Sequence, residues 1–225
     1  MNKMIQTPKF HRPFSPTILE TQVPEKFIDI INKCVDPILA DEQKSIQWDW
    51  SHKLVGKVHK EVQIPMSNEN DIMYTKEIMK LACLSYVEEA IKNNTAYGWK
   101  KIAGDAEPTL QNVHLTQSWV VSQYAGEFNP WHHHNGNLSG VLYLKLPPKM
   151  HEEIVEDNKD HYPASGLIEF MFGENQEFRS DNLKFKPEVG KLLVFPSWLK
   201  HFVYPFQSEG ERRSMSFNAH MYVAE

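Results

Sequence analysis

The first half of the chain contains two stretches in which apolar residues recur every three or four positions. Residues 23–39 show this spacing, for example in Phe27 and Ile30, and residues 69–94 show it over a longer span. Such a period is typical of an amphipathic helix packed on a core. We therefore predict two helices, joined by a region, residues 48–67, that mixes turn residues with one β-like stretch.

From residue 112 onward the pattern changes to short β-rich runs separated by glycine, proline and asparagine. The runs are residues 114–124, 138–146, 166–172, 183–187, 191–198, 201–206 and 213–223. Short strands at this spacing are typical of an all-β sandwich or barrel. The polar segment 147–166 predicts a surface loop. We expect one domain, 1–225, in which a mostly helical part, 1–111, supports a β core, 112–225.

Composition narrows the classes of function. The net charge of −5 and the pI of about 6.1 argue against a nucleic-acid partner, which requires a concentrated basic face. No stretch has the roughly 18 consecutive apolar residues of a membrane span, and no secretory leader is evident. The two cysteines, Cys34 and Cys83, form no Cys-x-x-Cys pair, which excludes a zinc ribbon. We expect a soluble cytoplasmic protein with buried thiols, without membrane or nucleic-acid partners, in which the long N-terminal helix could support a homodimer.

Three adjacent histidines precede one of the predicted strands, in the stretch NPWHHHNGNLSGVLYLKL. In extended chain, residues i and i+2 point to the same side, so His132 and His134 share a face and His133 points away. A third ligand is expected from a distant strand, where His201 follows the turn FPSWLK. Three convergent histidines would hold a transition metal and leave positions open for substrate or oxygen.

The last predicted strand alternates sharply between polar and apolar positions. Arg212, Ser214, Ser216 and Asn218 lie on one face, and the intervening residues, mainly apolar, lie on the other. A polar inner face is unusual unless it lines a cavity. An Arg-x-Ser pair suits a carboxylate, because the guanidinium binds it through two parallel hydrogen bonds and the hydroxyl adds a third.

The order of these motifs resembles the Fe(II)/2-oxoglutarate dioxygenase superfamily, and more narrowly the 2OG-Fe(II) oxygenases found in phage and bacterial genomes. The resemblance covers residues 112–222, through H-x-H, LSGVLYL, FPSWLKH and R-x-S-x-S-F-N. It implies a double-stranded β-helix, or jelly-roll, core. It also implies a hydroxylase that releases succinate and carbon dioxide, located in the host cytoplasm if the gene belongs to a phage.

Site residues follow from the same resemblance. His132, His134 and His201 would bind Fe(II), and Arg212 would bind the distal carboxylate of 2-oxoglutarate with Ser214 beside it. Tyr124 would face the cosubstrate. The substrate is not readable, although a protein side chain such as prolyl fits the analogy. Asn129 and Asn218 are more typical of structural polar groups.

One position departs from the superfamily, whose second ligand is usually a carboxylate. Residue 134 is histidine, so Glu127 and Glu169 remain as alternative acidic ligands. Three other functions stay open. A three-histidine oxygenase without 2-oxoglutarate would not need Arg212. A non-catalytic jelly-roll binding module would bind no Fe(II). A nucleic-acid demethylase is disfavoured by the acidic composition and by the lack of a basic aromatic lid.

Overall fold

The computed structural model describes residues 16–53, 56–64, 70–157 and 164–223. Its elements in chain order are β1 (Leu19–Gln22), α1 (Glu25–Leu39), α2 (Glu42–Gln47), β2 (Lys60–Gln63), α3 (Asn70–Lys92), α4 (Tyr97–Ala103), β3 (Val113–Gln123), β4 (Asn129–His132), β5 (Leu138–Lys145), α5 (Met150–Asp157), β6 (Ile168–Met171), β7 (Asn182–Phe185), β8 (Lys191–Pro196), β9 (Lys200–Val203) and β10 (Arg212–Met221), with single 3₁₀ turns at Ser51–Lys53 and Leu110–Asn112. No helix among these residues is long and apolar enough to cross a membrane.

Two antiparallel sheets form the β core. The larger sheet has the order β1-β8-β5-β10-β3-β2, and the smaller has the order β4-β9-β6-β7. Sequence neighbours such as β3 and β4 lie in different sheets, which is the crossing pattern of a jelly roll. The predicted mainly β class, with a jelly-roll core supported by N-terminal helices, is therefore confirmed.

Helices α1 and α3 cover the outer face of the larger sheet. The alternation of side chains in β5 explains the arrangement: Leu142 and Leu144 point toward the helices, whereas Val141 and Tyr143 point between the sheets. Gly140 allows Phe217 to lie against the strand, since a Cβ at this position would come within 2.3 Å of the Phe217 ring. The sheet thus has one face for the helices and one for the cavity.

The two predicted helices correspond to α1 and α3, and each of the seven predicted runs contains one strand. The pattern did not predict β1 and β4, or the short helices α2 and α4. Strands β1 and β2 come from the N-terminal part and form both edges of the larger sheet. Strands of four residues and helices of six or seven residues contain too few positions to establish a period.

The prediction of a loop over 147–166 is wrong in part, because residues 150–157 form α5. Met150 and Ile154 lie one helical turn apart and are buried against Leu167 and Phe206. Glu153 accepts hydrogen bonds from the backbone N–H groups of Gln207 and Ser208, at 2.7 Å each. Two buried positions in a charged segment are a weak sequence signal, although they suffice to fix the helix. Residues 158–163 lie outside the described ranges.

Candidate metal and cosubstrate site

A cavity of about 470 Å³ opens between the two sheets. This volume lies within the range of about 300–1,000 Å³ that is usual for small-molecule sites. The polar face of β10 lines it through Arg212, Ser214, Ser216 and Asn218. The intervening Met215 and Phe217 pack in the core under the helices. The structure thus places these residues as the alternation of the strand predicts.

His132, His134 and His201 converge at this cavity. One ring nitrogen from each lies within 4.8 Å of the others, and the described residues contain no other such group of potential metal ligands. His132 ends β4, and its register partner in β9 is His201. The ring centroids of this pair are 4.1 Å apart, and His134 lies 5.1 Å from both. Strand pairing therefore brings together residues that are about seventy positions apart in sequence.

Backbone carbonyls orient two of the three imidazoles. His132 Nδ1 lies 2.7 Å from the Pro130 carbonyl oxygen, and His201 Nδ1 lies 3.0 Å from that of Leu199. A carbonyl only accepts hydrogen bonds, so each Nδ1 carries the proton and each Nε2 keeps its lone pair for a metal. The third ring, His134, packs against Trp119 with ring centroids 5.5 Å apart.

Burial keeps the three histidines in the neutral form that ligates metals. Desolvation lowers the pKa of His134 to about 3, and the neighbouring imidazoles act in the same direction. The same causes hold the pKa of His201 well below its usual value and lower that of His132. His133 is exposed at the rim of the cavity and is not part of the metal-binding group.

The turn after the histidines is held by Ser197, which follows β8. Its carbonyl accepts a hydrogen bond from the His134 backbone N–H at 2.8 Å, and its hydroxyl donates to the Gly136 carbonyl. Gly136 has a φ of 109°, and a Cβ there would lie 2.9 Å from the Ala219 carbonyl oxygen. Only glycine fits this position without strain, so the HHHNGN sequence encodes the turn as well as the candidate ligands.

Arg212 lies in the cavity wall and is only 2% exposed. Its Nη1 donates to Gln123 Oε1, and its Nη2 lies 3.4 Å from the Tyr143 hydroxyl. Its Nε has no hydrogen-bond partner in the described part of the chain. Among the same described residues, no carboxylate forms an ion pair with this guanidinium. A buried cation with only neutral partners is costly. Ser214, two residues on, lines the same cavity, so the pair forms a receptor for an anion.

The adjacent Arg213 points the other way, into the helix interface. It pairs with Glu211 through Nε at 2.8 Å and Nη2 at 2.9 Å, and its Nη1 lies 2.7 Å from Asp36 of α1. Burial acts to lower the pKa of Arg213, but the hydrogen bonds that its guanidinium donates to Glu211 and Asp36 outweigh burial and raise it. Arg213 thus forms an ion pair that links β10 to α1. Arg212 remains the candidate residue for binding the cosubstrate carboxylate.

Tyr124 is not brought to the cavity. It is 41% exposed, and its ring contacts His59 at 5.0 Å between centroids. Position 124 falls just after β3 ends at Gln123, where the chain turns outward. The tyrosine beside the clamp is Tyr143 of β5, which the sequence did not single out.

The acidic alternatives also lie elsewhere. Glu127 accepts hydrogen bonds from the backbone N–H groups of His59 and Tyr124, and Glu169 accepts one from the Tyr204 hydroxyl. Neither belongs to the metal-binding group. Asn129 lines the cavity beside His132, with 3.4 Å between Nδ2 and Nε2. Asn218 has the structural role expected of it, between Ser139 and Gln117.

Besides Tyr143, sequence reasoning missed Gln123 and Glu61. Gln123 ends β3 and holds the Arg212 guanidinium. Glu61 lies in β2, is 3% exposed and lines the cavity. Neither belongs to a recognisable motif. A larger cavity of about 990 Å³ lies between α3, α4 and the end of β10, and it contains none of the candidate residues.

Comparison with known proteins shows the fold and finds one family that resembles the β core. Residues 117–218 match the family described as "Putative 2OG-Fe(II) oxygenase". This segment is similar to the 2OG-Fe(II) oxygenase family. The likeness implies Fe(II) and 2-oxoglutarate as cofactors and the chemistry of an oxidoreductase. A search of curated proteins gave no match.

Solved structures of similar fold include two prolyl hydroxylases. A Pseudomonas putida prolyl-4-hydroxylase is 14% identical, with a TM-score of 0.52 over 92% of this chain and 93% of that one. AviO1 from Streptomyces viridochromogenes Tue57 is 13% identical, with a TM-score of 0.57 over 93% and 92%. A prolyl hydroxylase from Trichoplax adhaerens, solved with a hypoxia inducible factor peptide fragment, is 12% identical, with a TM-score of 0.51 over 91% and 83%. At these identities the likeness establishes the oxygenase fold alone.

The residues present fit both cofactors. Three neutral imidazoles, each with one ring nitrogen in the converging group, suit a divalent transition metal. The buried guanidinium of Arg212, with its unpartnered Nε, suits the distal carboxylate of 2-oxoglutarate. Within the described residues no carboxylate joins the three histidines, so the departure at position 134 persists in the structure.

Proposed function

We propose that this oxygenase is a hydroxylase in which His132, His134 and His201 hold Fe(II), while Arg212 and Ser214 bind 2-oxoglutarate. One observation carries the proposal: three metal-ligating nitrogens and a buried guanidinium without an acidic partner line a single cavity. When bound, the metal and the keto acid would supply oxidative chemistry that needs dioxygen as co-reactant: one oxygen atom of O2 would enter succinate as 2-oxoglutarate loses carbon dioxide, and the other would enter a substrate C–H bond as a hydroxyl.

The protein supplies orientation and a dry cavity. Arg212 binds the distal carboxylate of the cosubstrate. Gln123 and Tyr143 hold the Arg212 guanidinium in position. Val141, Ile168 and Phe195 form an apolar part of the wall. Excluding water strengthens every charged contact in the cavity and protects reactive species. His201 is held in place by Phe170 and Phe195, whose ring centroids lie 5.5 and 4.9 Å from its own.

The substrate proposed from the comparisons is a small molecule or a protein side chain. A prolyl side chain is one candidate, because two proteins of similar fold are prolyl hydroxylases and one of them was solved with a peptide. A competing function, a three-histidine oxygenase that uses no keto acid, is favoured by one observation: no carboxylate ligand accompanies the histidines in the described chain.

An anaerobic titration tests the proposal. Purified protein is given Fe(II) and then 2-oxoglutarate while the visible spectrum is followed. A metal-to-ligand charge-transfer band that saturates at one equivalent would support one site for both cofactors. Iron bound without the band would favour the keto-acid-independent oxygenase. Failure to bind iron would reject the proposal in favour of a jelly-roll binding module. Arg212→Ala is the matched variant, and it should bind iron but give the band only at much higher 2-oxoglutarate concentrations.

A further inference from the structure

Unsatisfied polar atoms concentrate in the cavity. Four buried side-chain nitrogen or oxygen atoms lack a hydrogen-bond partner in the part of the chain that the structure describes, and the residues of three of them line this cavity. These three are Glu61 Oε2, Asn129 Oδ1 and Arg212 Nε. The clamp for 2-oxoglutarate accounts for Arg212. Of the two remaining atoms, the Asn129 amide oxygen is an acceptor, and Glu61 Oε2 is an acceptor when the carboxyl is ionised. Neither the metal nor the cosubstrate clamp uses them.

Glu61 is placed by strand pairing. Its partner in β3 is Val121, and both residues line the cavity. The carboxyl is 3% exposed, so folding has removed it from water. Burial raises the pKa of Glu61 to about 8, although a hydrogen bond from Trp119 opposes the shift, and the nearby Asp49 adds to it. Burying an acid without full hydrogen bonding costs free energy, and a ligand that donates to it would recover that cost.

Three tryptophans line the same cavity as this carboxyl, and one of them, Trp119, donates a hydrogen bond to it. Trp50, Trp119 and Trp131 all line the cavity, and Trp131 is 40% exposed at its mouth. The Trp50 backbone N–H donates to the Glu61 carbonyl at 2.9 Å, which fixes the two residues side by side. Indole faces attract cations, and a carboxyl group among indoles is a typical receptor for one.

We propose that the substrate of this enzyme presents a cationic nitrogen, an ammonium or a guanidinium, to Glu61 Oε2 and Asn129 Oδ1. This contact orients the neighbouring C–H bond toward the metal, so Glu61 determines substrate specificity. The inference rests on the proposed function, since it takes the cavity to be the active site. A cationic contact at Glu61 narrows the substrate class from aliphatic groups in general to aliphatic groups next to a basic nitrogen. It disfavours a prolyl residue within a peptide, because the nitrogen of that residue is an uncharged amide.

A cation fits better than a neutral donor or an anion. A hydroxyl donates one hydrogen bond, whereas an ammonium donates three and a guanidinium five, enough for both acceptors. Charge-assisted bonds to a carboxylate are roughly twice as strong as neutral ones. A cation beside Glu61 also favours the ionised carboxylate. The other charged or titratable groups facing this region include Asp49, which adds negative charge, and His133 at the rim. The remaining ones are Arg212 and the three histidines of the metal-binding group, which the cosubstrate and the metal would engage.

The test uses the full chain loaded with Mn(II) and 2-oxoglutarate in the absence of oxygen. The probes are n-butylammonium, n-butylguanidinium, neutral 1-pentanol and anionic pentanoate. Proton relaxation of each probe is measured by NMR, with Zn(II)-loaded protein as the diamagnetic reference. Only a probe bound near the metal is relaxed by Mn(II), so binding to the acidic surface is not counted. Glu61→Gln keeps the shape of the side chain, and Glu107→Gln, on the exposed surface, is the matched control for loss of one charge.

Both cations should bind near the metal at least about tenfold more tightly than pentanol or pentanoate. Glu61→Gln should weaken the binding of both cations by about tenfold to a hundredfold and leave the affinity for 2-oxoglutarate unchanged. Glu107→Gln should change neither affinity. Equal binding of cations and pentanol to the wild-type protein would overturn the inference even if Glu61→Gln failed to fold. Unchanged cation binding in a folded Glu61→Gln protein would overturn it as well.

Two further comparisons complete the design. Blocked lysine (acetyl-lysine-methylamide) and free lysine distinguish the two sources of such a cation, since tighter binding of the blocked compound indicates a side chain within a peptide. The charge-transfer band separates this inference from the proposed function. Absence of the band rejects the function itself, whereas a band without cation preference rejects only the role of Glu61.

Discussion

Two adjacent arginines on β10 allow the cosubstrate assignment to be tested with matched variants. Arg212→Met and Arg213→Met each replace a buried guanidinium by an apolar side chain of similar length. Arg212 faces the cavity with neutral partners, Gln123 and Tyr143. Arg213 faces α1 with acidic partners, Glu211 and Asp36. The same chemical change should therefore affect ligand binding at one position and folding at the next.

The expected magnitudes follow from these partners. Loss of Arg212 removes two charge-assisted hydrogen bonds to the cosubstrate carboxylate, each contributing about 1.5–3 kcal/mol. The affinity for 2-oxoglutarate should fall by about a hundredfold to ten-thousandfold. Loss of Arg213 leaves Glu211 buried, with Lys145 at 3.1 Å and Ser122 at 2.8 Å as its remaining partners. The unfolding free energy should fall by about 3 kcal/mol, the lower end for a broken buried ion pair.

Two assays separate the outcomes. Anaerobic titration of the Fe(II)-loaded protein with 2-oxoglutarate gives the dissociation constant from the charge-transfer band. Urea unfolding without metal or cosubstrate gives the unfolding free energy. For Arg212→Met the unfolding free energy should stay within about 1 kcal/mol of the wild type, because no buried counterion is stranded. If Arg213→Met weakened the binding of 2-oxoglutarate and Arg212→Met did not, the assignment of Arg212 as the carboxylate-binding residue would be wrong. If neither weakened it, the carboxylate would bind elsewhere.

Three other variants test the remaining parts of the site. His201→Ala should abolish stoichiometric Fe(II) binding in calorimetry while the rim variant His133→Ala retains it, and full iron binding by His201→Ala would remove that residue from the ligand set. His134→Asp should retain one equivalent of Fe(II), since a carboxylate also ligates iron; loss of iron would mean that the longer imidazole is required. Glu61 has a folded-state pKa of about 8, above the usual value of 4.5, so the folded state binds the extra proton and its stability should fall as pH rises between these values. Glu61→Gln should remove this loss and be more stable than the wild type near pH 9, by up to about 5 kcal/mol. Parallel stability curves for the two proteins between pH 5 and 9 would contradict the assignment.

The periodic spacing of apolar residues within short segments explains which parts of the fold the sequence could predict. The helical spacing in α1 and α3 and the alternation in β10 depend on neighbours within a few residues, and both are visible in one sequence. The helix α5 was missed because only two of its residues, Met150 and Ile154, are shown buried. Strand β4 was missed because Pro130 and the histidines do not resemble an apolar run. Its pairing with β9 depends on chain that is far away in sequence.

The same distinction separates the site residues that the sequence could predict from those that it could not. His132, His134, His201 and Arg212 belong to motifs whose spacing is informative, and the structure brings them to one cavity. Tyr124 was inferred from its distance to His132 alone, and a turn after β3 places it outside. Tyr143, Gln123 and Glu61 reach the site only through the register of β5, β3 and β2. A buried acid on a four-residue edge strand leaves no sequence pattern, because its significance arises from the residues it faces.

The charges of the cavity connect the unusual ligand set to the rest of the site. Three imidazoles kept neutral by burial add no negative charge, so a divalent metal alone would leave its full charge in the cavity. The dianion of 2-oxoglutarate, with its far carboxylate on Arg212 as proposed, would offset two of the three positive charges that the metal and Arg212 bring. Metal and cosubstrate should therefore strengthen each other's binding, and by linkage the factor must be the same in both directions. His134→Asp adds one negative charge at the metal, so this mutual strengthening should shrink in that variant. Equal coupling in both proteins would mean that position 134 does not set the charge balance of the site.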